Sequence, residues 1–161
     1  MRLLVAGGLL LAGGCVHSSA AFRSPVTNET TELTYVSHMQ AEAEERQKAR
    51  REMREPSLYN IPVNGYLVLG IERPTLEAAD TAQFQVIFAW EEEVLDRVQG
   101  PSDVPEMPEF VGGPWTNNLF VHVPKDVTPP FKVMVVDQLS GIRYEFFVRE
   151  DAQIKRVGRT K

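Results

Sequence analysis

Alternation of apolar and polar residues in the second half of the chain is the feature that most constrains its fold. The clearest stretch is 83–91, where one face of an extended chain carries Phe84, Val86, Phe88 and Trp90. Residues 119–123, 131–135 and 142–148 alternate in the same way, and 66–72 is an apolar run of strand length. A repeat of two residues is typical of strands with one buried face. With 92–98 as a weaker candidate, we expect about five to seven strands.

Turn-forming residues separate these stretches at short intervals. Asn64-Gly65 precedes the first strand, Pro74 follows it, and residues 138–141 link the last two into a hairpin. Short strands without intervening helical segments favour antiparallel pairing. The sequence therefore predicts a mainly β fold over residues 57–150, an antiparallel β-sandwich (Ig-like or similar), with a small barrel as the alternative.

One charged α-helix is predicted to precede the β domain, over residues 37–55. Ser37 and Gln40 match an S-x-x-Q capping box, in which each side chain accepts a backbone N–H group. Nearly all of residues 41–55 are strong helix formers, and Glu42 is placed to pair with Arg46 one turn later. A proline at position 56 ends the helix, because proline disfavours helical geometry in the residue before it.

The apolar residues of this helix are few and leave its packing open. Met39, Ala43 and Met53 recur at the spacing of a coiled-coil seam, but Arg46 and Arg50 interrupt that seam. The helix either packs these three side chains on its own domain or offers them to a partner or a second copy. We therefore take Met39 and Met53 as candidate partner-binding residues.

The amino terminus has the layout of an export signal. Arg2 is followed by the apolar run Leu3–Leu11 and by small residues that lead to Cys15. The run has about half of the roughly 20 residues that a membrane-spanning helix needs. Cys15 is the only cysteine, so a disulfide within the chain is excluded.

This layout resembles the signal of bacterial lipoproteins, in which a lipobox ends at a cysteine that becomes lipidated. The resemblance covers residues 1–15 and implies a signal peptide over 1–14 and acyl chains on Cys15. The usual leucine three places before the cysteine is Ala12 here, which keeps ordinary cleavage after Ala20 or Ala21 as an alternative. Val16 stands where an aspartate would retain such a protein at the inner membrane, so the resemblance implies the outer membrane.

The segments that flank the helix and the β domain show no sustained periodicity. Residues 15–36, rich in Ser, Thr and Ala, are expected to be a flexible tether behind the lipidated cysteine. Residues 151–161 carry Lys155, Arg156, Arg159 and Lys161 and are expected to form a basic, solvated tail.

A proline-rich loop joins two predicted strands between Val98 and Asn118. A loop of this length is unusual in a compact domain and is often functional. Phe110 and Trp115 are its aromatic residues. Either Trp115 fills the core beneath a stiff connection, or Phe110 and Trp115 are anchors for a partner.

Catalytic and metal-binding patterns do not stand out. His17, His38 and His122 have no metal-ligand spacing to one another, and no nucleophile or phosphate-binding motif occurs. The acidic group Glu91–Glu93 with Asp96 is read as a solvated strand end rather than a calcium site. We expect no enzymatic activity, no metal and no small-molecule cofactor. The formal net charge of −5 also argues against nucleic acid as a partner.

Together these features predict an outer-membrane lipoprotein that faces the periplasm. Its expected role is a structural or accessory subunit of a cell-envelope assembly, with the membrane as one partner through Cys15 and an envelope protein as the other. A periplasmic domain that binds a glycan or peptide is the alternative, and a hydrolase is a remote one.

Overall fold

The computed structural model describes residues 17–102 and 113–161, and nearly half of these residues belong to β-strands. The helices are α1 (His38–Arg51) and the one-turn α2 (Leu76–Ala79), and 3-10 turns occupy Leu58–Asn60 and Thr81–Gln83. The strands in chain order are β1 (Ser18–Arg23), β2 (Thr30–Val36), β3 (Tyr66–Arg73), β4 (Phe84–Trp90), β5 (Glu93–Gln99), β6 (Trp115–His122), β7 (Phe131–Asp137), β8 (Ile142–Val148) and β9 (Ile154–Thr160).

The strands form two antiparallel sheets. Sheet A has the order β1-β2-β3-β6 and sheet B has the order β5-β4-β7-β8-β9. The inner faces of both sheets contribute to a single apolar cluster, which includes Leu33 and Leu69 from sheet A and Phe88 and Val133 from sheet B. The prediction of a mainly β fold with antiparallel strands is confirmed, and the shared core gives it a sandwich-like arrangement.

Along β4, the side chains that the sequence assigns to the apolar face are buried except at the end of the strand. Phe84, Val86 and Phe88 are fully buried between the sheets, whereas Trp90 at the strand end is 41% exposed. Ile87, on the opposite face, is also buried. The predicted hairpin between β7 and β8 is present, and Gly141 adopts the positive φ of 71° that its turn requires.

The expected tether over residues 15–36 is wrong for residues 18–36, because β1 and β2 occupy them. Thr31, Leu33 and Tyr35 alternate inward along β2 and are buried. Phe22 of β1 packs on the core against Tyr144 and Phe146. Threonine is common both in strands and in linkers. The Thr-rich composition of this segment therefore did not distinguish a strand from a linker.

The expected solvated tail over residues 151–161 is also wrong, since Ile154–Thr160 form β9, which pairs with β8. Ile154 is buried, and its N–H donates to the Ser18 hydroxyl at 2.7 Å. Arg156 lies over the Phe22 ring at 5.5 Å. In this edge strand, basic side chains pack over aromatic rings. The strand therefore has a composition that resembles that of a solvated tail. The β domain therefore extends well beyond residues 57–150.

Helix α1 occupies much of the predicted helical region but does not precede the β domain, because β1 and β2 come before it. The capping box is present, with the Ser37 N–H donating to Gln40 Oε1 at 2.9 Å. The helix ends at Arg51 rather than at residue 55. Met53 takes a left-handed conformation with φ of 52°, and the N–H of Arg54 donates to the Ala49 carbonyl oxygen at 3.0 Å. These contacts are those of a Schellman motif, which reverses the chain before the proline.

Candidate functional site

A groove of about 580 Å³ lies between α1 and the outer face of sheet A. Helix α1 forms one wall, the segment 54–62 that follows it forms the second, and side chains of β3 and β6 form the floor. We call this recess the α1 groove; its lining residues are Ala41, Glu44, Glu45, Lys48, Arg54, Ser57, Asn60, Ile61, Pro62, Tyr66, Phe120 and His122.

Two aromatic rings form the floor of the groove. In the register of β3 and β6, Tyr66 pairs with His122 and Val68 pairs with Phe120, so these side chains share the outer face. The Tyr66 and Phe120 ring centroids are 6.4 Å apart. Phe120 is 65% exposed. Large exposed aromatic side chains beside a recess are typical of interaction sites.

An ion pair holds the second wall against α1. The Arg54 guanidinium donates to both carboxylate oxygens of Glu45, at 2.6 and 3.2 Å, and to Glu52 at 2.6 Å. The N–H of Ser57 donates to the same Glu45 carboxylate at 2.8 Å. The Arg54 and Ser57 donors lower the pKa of Glu45 from 4.5 to about 2. Glu45 and Arg54 therefore satisfy each other and shape the wall.

The start of α1 is fixed to the sheet by the turn that leads into β3. Nδ1 of His38 donates to the Pro62 carbonyl oxygen at 3.0 Å. Gly65 has a φ of 79°, and a Cβ there would lie 2.1 Å from the Val36 carbonyl oxygen. Only glycine allows this close approach, so Gly65 sets the depth at which α1 lies over sheet A.

The first described residue reaches the rim of the groove. His17 hydrogen-bonds to Glu44, one of the groove-lining residues on α1. Burial raises the pKa of Tyr66, and the Glu44 carboxylate adds to that increase. The beginning of β1, the middle of α1 and the groove floor are thus neighbours.

The groove combines an apolar floor with charged and hydrogen-bonding side chains around it. Glu44, Lys48 and His122 offer charge and hydrogen bonds around the apolar floor of Tyr66 and Phe120. Such a mixture suits a ligand with an apolar side chain and polar flanking groups. Within residues 17–102 and 113–161, no three His, Cys, Asp or Glu side chains are grouped so that they could hold a metal ion.

The structure does not bring the candidate residues from the sequence together. Met39 and Met53 are 80% and 95% exposed and do not line the α1 groove. The alternative in which they pack on the domain is therefore wrong, and their role as partner-binding residues stays a prediction. Ala41 and Ala49 are the buried side chains of the helix instead. Trp115 is half-buried against the core, as expected for a residue that fills it. Cys15 and Phe110 lie outside the described residues.

Sequence reasoning did not select the two residues of the groove floor. Phe120 occurs in a strand whose neighbours Leu119 and Val121 face the core, so alternation alone places its ring on the outer face. A large aromatic residue at an outward position was the available signal. Tyr66 had no such signal, because it opens an apolar run.

Among the described helices, none combines the length and the apolar character needed to cross a bilayer. No protein-family model matches the chain, and comparisons with curated proteins and with solved structures find no significant match.

Proposed function

We propose that this chain is a lipid-anchored periplasmic protein of the outer membrane that serves as a structural or accessory subunit of a cell-envelope assembly. The observation that supports this role is the α1 groove, in which the exposed Phe120 ring and its flanking charges form a surface suited to protein contact. The lipobox-like sequence that ends at Cys15 supports the anchor.

The position of β1 shortens the expected distance between the proposed anchor and the folded domain. Strand β1 begins at Ser18, three residues after Cys15 in the sequence, so a link of at most about 10 Å would join a lipid anchor at that position to the folded domain. The domain is then held against the membrane surface rather than at the end of a long tether. Because His17 contacts Glu44, the groove would open near the end of the domain that such an anchor places at the membrane.

The strand order also supports the Ig-like class as part of the proposal. Strands β2-β3-β6 and β5-β4-β7-β8 follow the order of strands A-B-E and C′-C-F-G in Ig-type sandwiches. Strand β1 adds to the edge of β2, and β9 adds to the edge of β8. Ig-type sandwiches commonly serve as binding modules, although fold alone does not determine function.

Two measurements test the proposed function. Cys15→Ser is expected to abolish acyl labelling and to release the chain from membranes; continued membrane retention would contradict the anchor. Photo-crosslinking in intact cells, from residues distributed over the described surface, is expected to trap a defined envelope protein at fixed stoichiometry. Recovery of the uncrosslinked monomer from every position would contradict the assembly role.

The size of the groove favours one alternative. A volume of about 580 Å³ is within the range of small-ligand sites, about 300–1,000 Å³. A periplasmic domain that binds a glycan or short peptide would show a rise in unfolding temperature with cell-wall fragments. Phe120→Ala should remove that rise, because the ring forms part of the groove floor.

A further inference from the structure

A small pocket lies at the side of the sandwich where the edge strands β1 of sheet A and β9 of sheet B contact each other. Its volume is about 50 Å³, and residues of both sheets line it. We call this recess the arginine pocket; its lining includes Phe22, Arg23, Glu29, Tyr144, Arg156 and Arg159. All three arginines are exposed, in a chain whose formal net charge is −5.

A bulge in β9 turns two of these arginines to the same face. In a regular strand, side chains three positions apart point to opposite faces. In β9, however, Arg156 pairs with Phe146 and Arg159 pairs with Tyr144, so three steps along β9 match two along β8. The extra residue, Val157, forms the bulge. Because Phe146 and Tyr144 face the core, both arginines lie on the core side of this edge strand.

Aromatic rings position the two guanidinium groups. Arg156 Cζ lies 5.5 Å from the centre of the Phe22 ring, and Arg159 Cζ lies 5.7 Å from the centre of the Tyr144 ring. Arg156 also donates to the Ala21 carbonyl oxygen at 3.2 Å. Each guanidinium has five N–H donors. Within residues 17–102 and 113–161, neither arginine forms an ion pair, so most of these donors are available to a ligand.

The charge and the size of the pocket suit a phosphate group. Three arginines against one glutamate, Glu29, give the lining a net charge of +2. Arginine binds phosphate oxygens through pairs of parallel hydrogen bonds that are stronger than those of neutral donors. The volume of about 50 Å³ exceeds the about 30 Å³ of one water and is far below the about 300 Å³ at which sites enclose a whole ligand. The pocket therefore admits one small anionic group.

We propose that the arginine pocket binds a phosphate monoester group, with Arg156 and Arg159 as the donors to its oxygens and Arg23 as a third positive charge. Such a group carries a charge of about −1.5 to −2 at neutral pH, which matches the lining better than the single charge of a carboxylate or a phosphodiester. A free phosphate compound and a lipid headgroup both present this chemistry. The proposal depends neither on an anchor at Cys15 nor on the α1 groove.

A purely structural role for the arginines is the competing explanation. Charged side chains that point inward on an edge strand discourage pairing with another chain. One charge is enough for that purpose, whereas here a bulge brings a second to the same face and β1 adds a third to the pocket. The two explanations differ in one measurable respect, because only binding predicts a saturable response to phosphate.

The first test is a titration of the purified full chain with inorganic phosphate at constant ionic strength, followed by amide NMR. The amides of Arg156, Gly158 and Arg159 are expected to show shifts that saturate at millimolar phosphate. Potassium chloride at the same ionic strength should leave these amides unchanged. Shifts that do not saturate, or that chloride reproduces, would overturn the proposal.

Variants separate the pocket from general attraction of anions. Arg156→Gln combined with Arg159→Gln is expected to weaken phosphate binding at least about tenfold. The matched control, Lys155→Gln with Lys161→Gln, changes the net charge equally at residues that do not line the pocket, and its affinity should stay near the wild-type value. Equal losses in the two pairs would overturn the proposal.

A single variant covers the case in which the double variant does not fold. Arg159→Gln keeps the contact between Arg156 and the Ala21 carbonyl oxygen that joins β9 to β1. We expect its phosphate affinity to fall at least about threefold, because one of the two charged donors is lost. Unchanged affinity in this variant would refute the assigned role of Arg159 and with it the proposal.

Two further probes identify the source of the phosphate group. α-Glycerophosphate is a soluble monoester, and dihexanoyl phosphatidic acid presents the same group on a soluble lipid. Similar affinities would indicate a free phosphate compound, whereas binding of the lipid at least about tenfold tighter would indicate a headgroup, because its acyl chains add apolar contacts. Either result supports the site. Absence of binding by inorganic phosphate and by both monoesters would overturn it, whatever the outcome of the Cys15→Ser and crosslinking experiments.

Discussion

Arg73 on β3 and Asp137 on β7 join the two sheets through a buried ion pair, with Arg73 Nη2 3.6 Å from Asp137 Oδ2. The guanidinium also donates to the Thr31 hydroxyl at 2.7 Å. Asp137 Oδ1 accepts the N–H groups of Leu139 and Ser140 in the β7–β8 hairpin, at 3.1 and 3.2 Å. One charge pair thus connects β2, β3 and the hairpin across the core.

Arg73→Met should strongly destabilise the fold, because it leaves Asp137 buried without a cation. We expect a loss of about 3–5 kcal/mol in the free energy of unfolding, measured by urea denaturation. The matched control is Arg149→Met, whose pair with Asp151 is exposed on both sides and should contribute under about 1 kcal/mol. Similar losses in the two variants would refute a structural role for the buried pair.

Asp137→Asn combined with Arg73→Met extends this test. Asparagine keeps a side-chain oxygen for the hairpin N–H groups and removes the buried charge. The double variant is expected to lose less stability than the sum of the two single variants. An additive result would indicate that the two residues act independently.

Glu45 should give the protein a pH-dependent part of its stability. Its pKa is lowered from 4.5 to about 2 by the Arg54 guanidinium and the Ser57 N–H. A carboxyl group whose pKa is lower in the folded state stabilises that state above the unfolded pKa, and this contribution is lost as the pH falls through the folded pKa. Glu45→Gln should therefore lower the unfolding temperature at neutral pH, and the difference should shrink between about 4.5 and about 2.

The control for this prediction is Glu42→Gln on the same helix. Glu42 Oε1 lies 3.9 Å from Arg46 Nη2, a loose surface contact. We expect its difference from the wild type to stay small across the same pH range in thermal unfolding. A Glu45→Gln difference that did not depend on pH would contradict the assigned role of the carboxylate.

The alternation of apolar and polar residues predicted the strands that bury one face. It failed for strands whose formation depends on contacts with other elements. The alternation in residues 83–91 is visible because Phe84, Val86 and Phe88 all face the core. Strand β9 has a single buried apolar residue, Ile154, and the rest of its surface packing comes from arginines. Such an edge strand is specified by its neighbours, which sequence periodicity does not report.

The candidate site was harder to predict than the fold, because it is built from residues distant in sequence. Phe120 and Glu44 line one groove only after β6 pairs with β3 and α1 lies over the sheet. The Arg73–Asp137 pair likewise needs both sheets in place. The sequence could indicate an outward-facing aromatic residue such as Phe120, but it could not show which charged residues line the same groove.

Met53→Gly should stabilise the protein, because Met53 occupies the left-handed position after α1, with φ of 52°. Glycine adopts this conformation without strain, and we expect a gain of about 0.5–1 kcal/mol in the free energy of unfolding. Thermal or urea denaturation measures it, with Gln47→Gly in the middle of α1 as a control that should lose about 1 kcal/mol. A loss in both variants would contradict the Schellman geometry.

Gly65→Ala should destabilise the protein more than Gly141→Ala. Both glycines have positive φ, 79° and 71°, but a Cβ at Gly65 would lie 2.1 Å from the Val36 carbonyl oxygen, whereas nothing lies within 4 Å at Gly141. We expect losses of about 2–4 kcal/mol and about 1 kcal/mol, since only the first adds a backbone clash to the strain. Equal losses, measured by urea denaturation, would show that the position of α1 does not depend on Gly65.

Trp115→Ala and Phe120→Ala should affect stability and partner binding in opposite ways. Trp115 is half-buried against the core, so its removal should lower the free energy of unfolding by about 2 kcal/mol or more. Phe120 is 65% exposed, and its removal should change stability by less than about 0.5 kcal/mol.

Binding should show the reverse order, since the Phe120 ring forms part of the groove floor and Trp115 does not line the groove. At temperatures where both variants remain folded, the yield of crosslinked partner should fall strongly in Phe120→Ala and stay near the wild-type level in Trp115→Ala. Urea denaturation and crosslinking on the same preparations give both measurements. Lost crosslinking in Trp115→Ala with normal yield in Phe120→Ala would instead place the partner at the Pro-rich loop and not at the α1 groove.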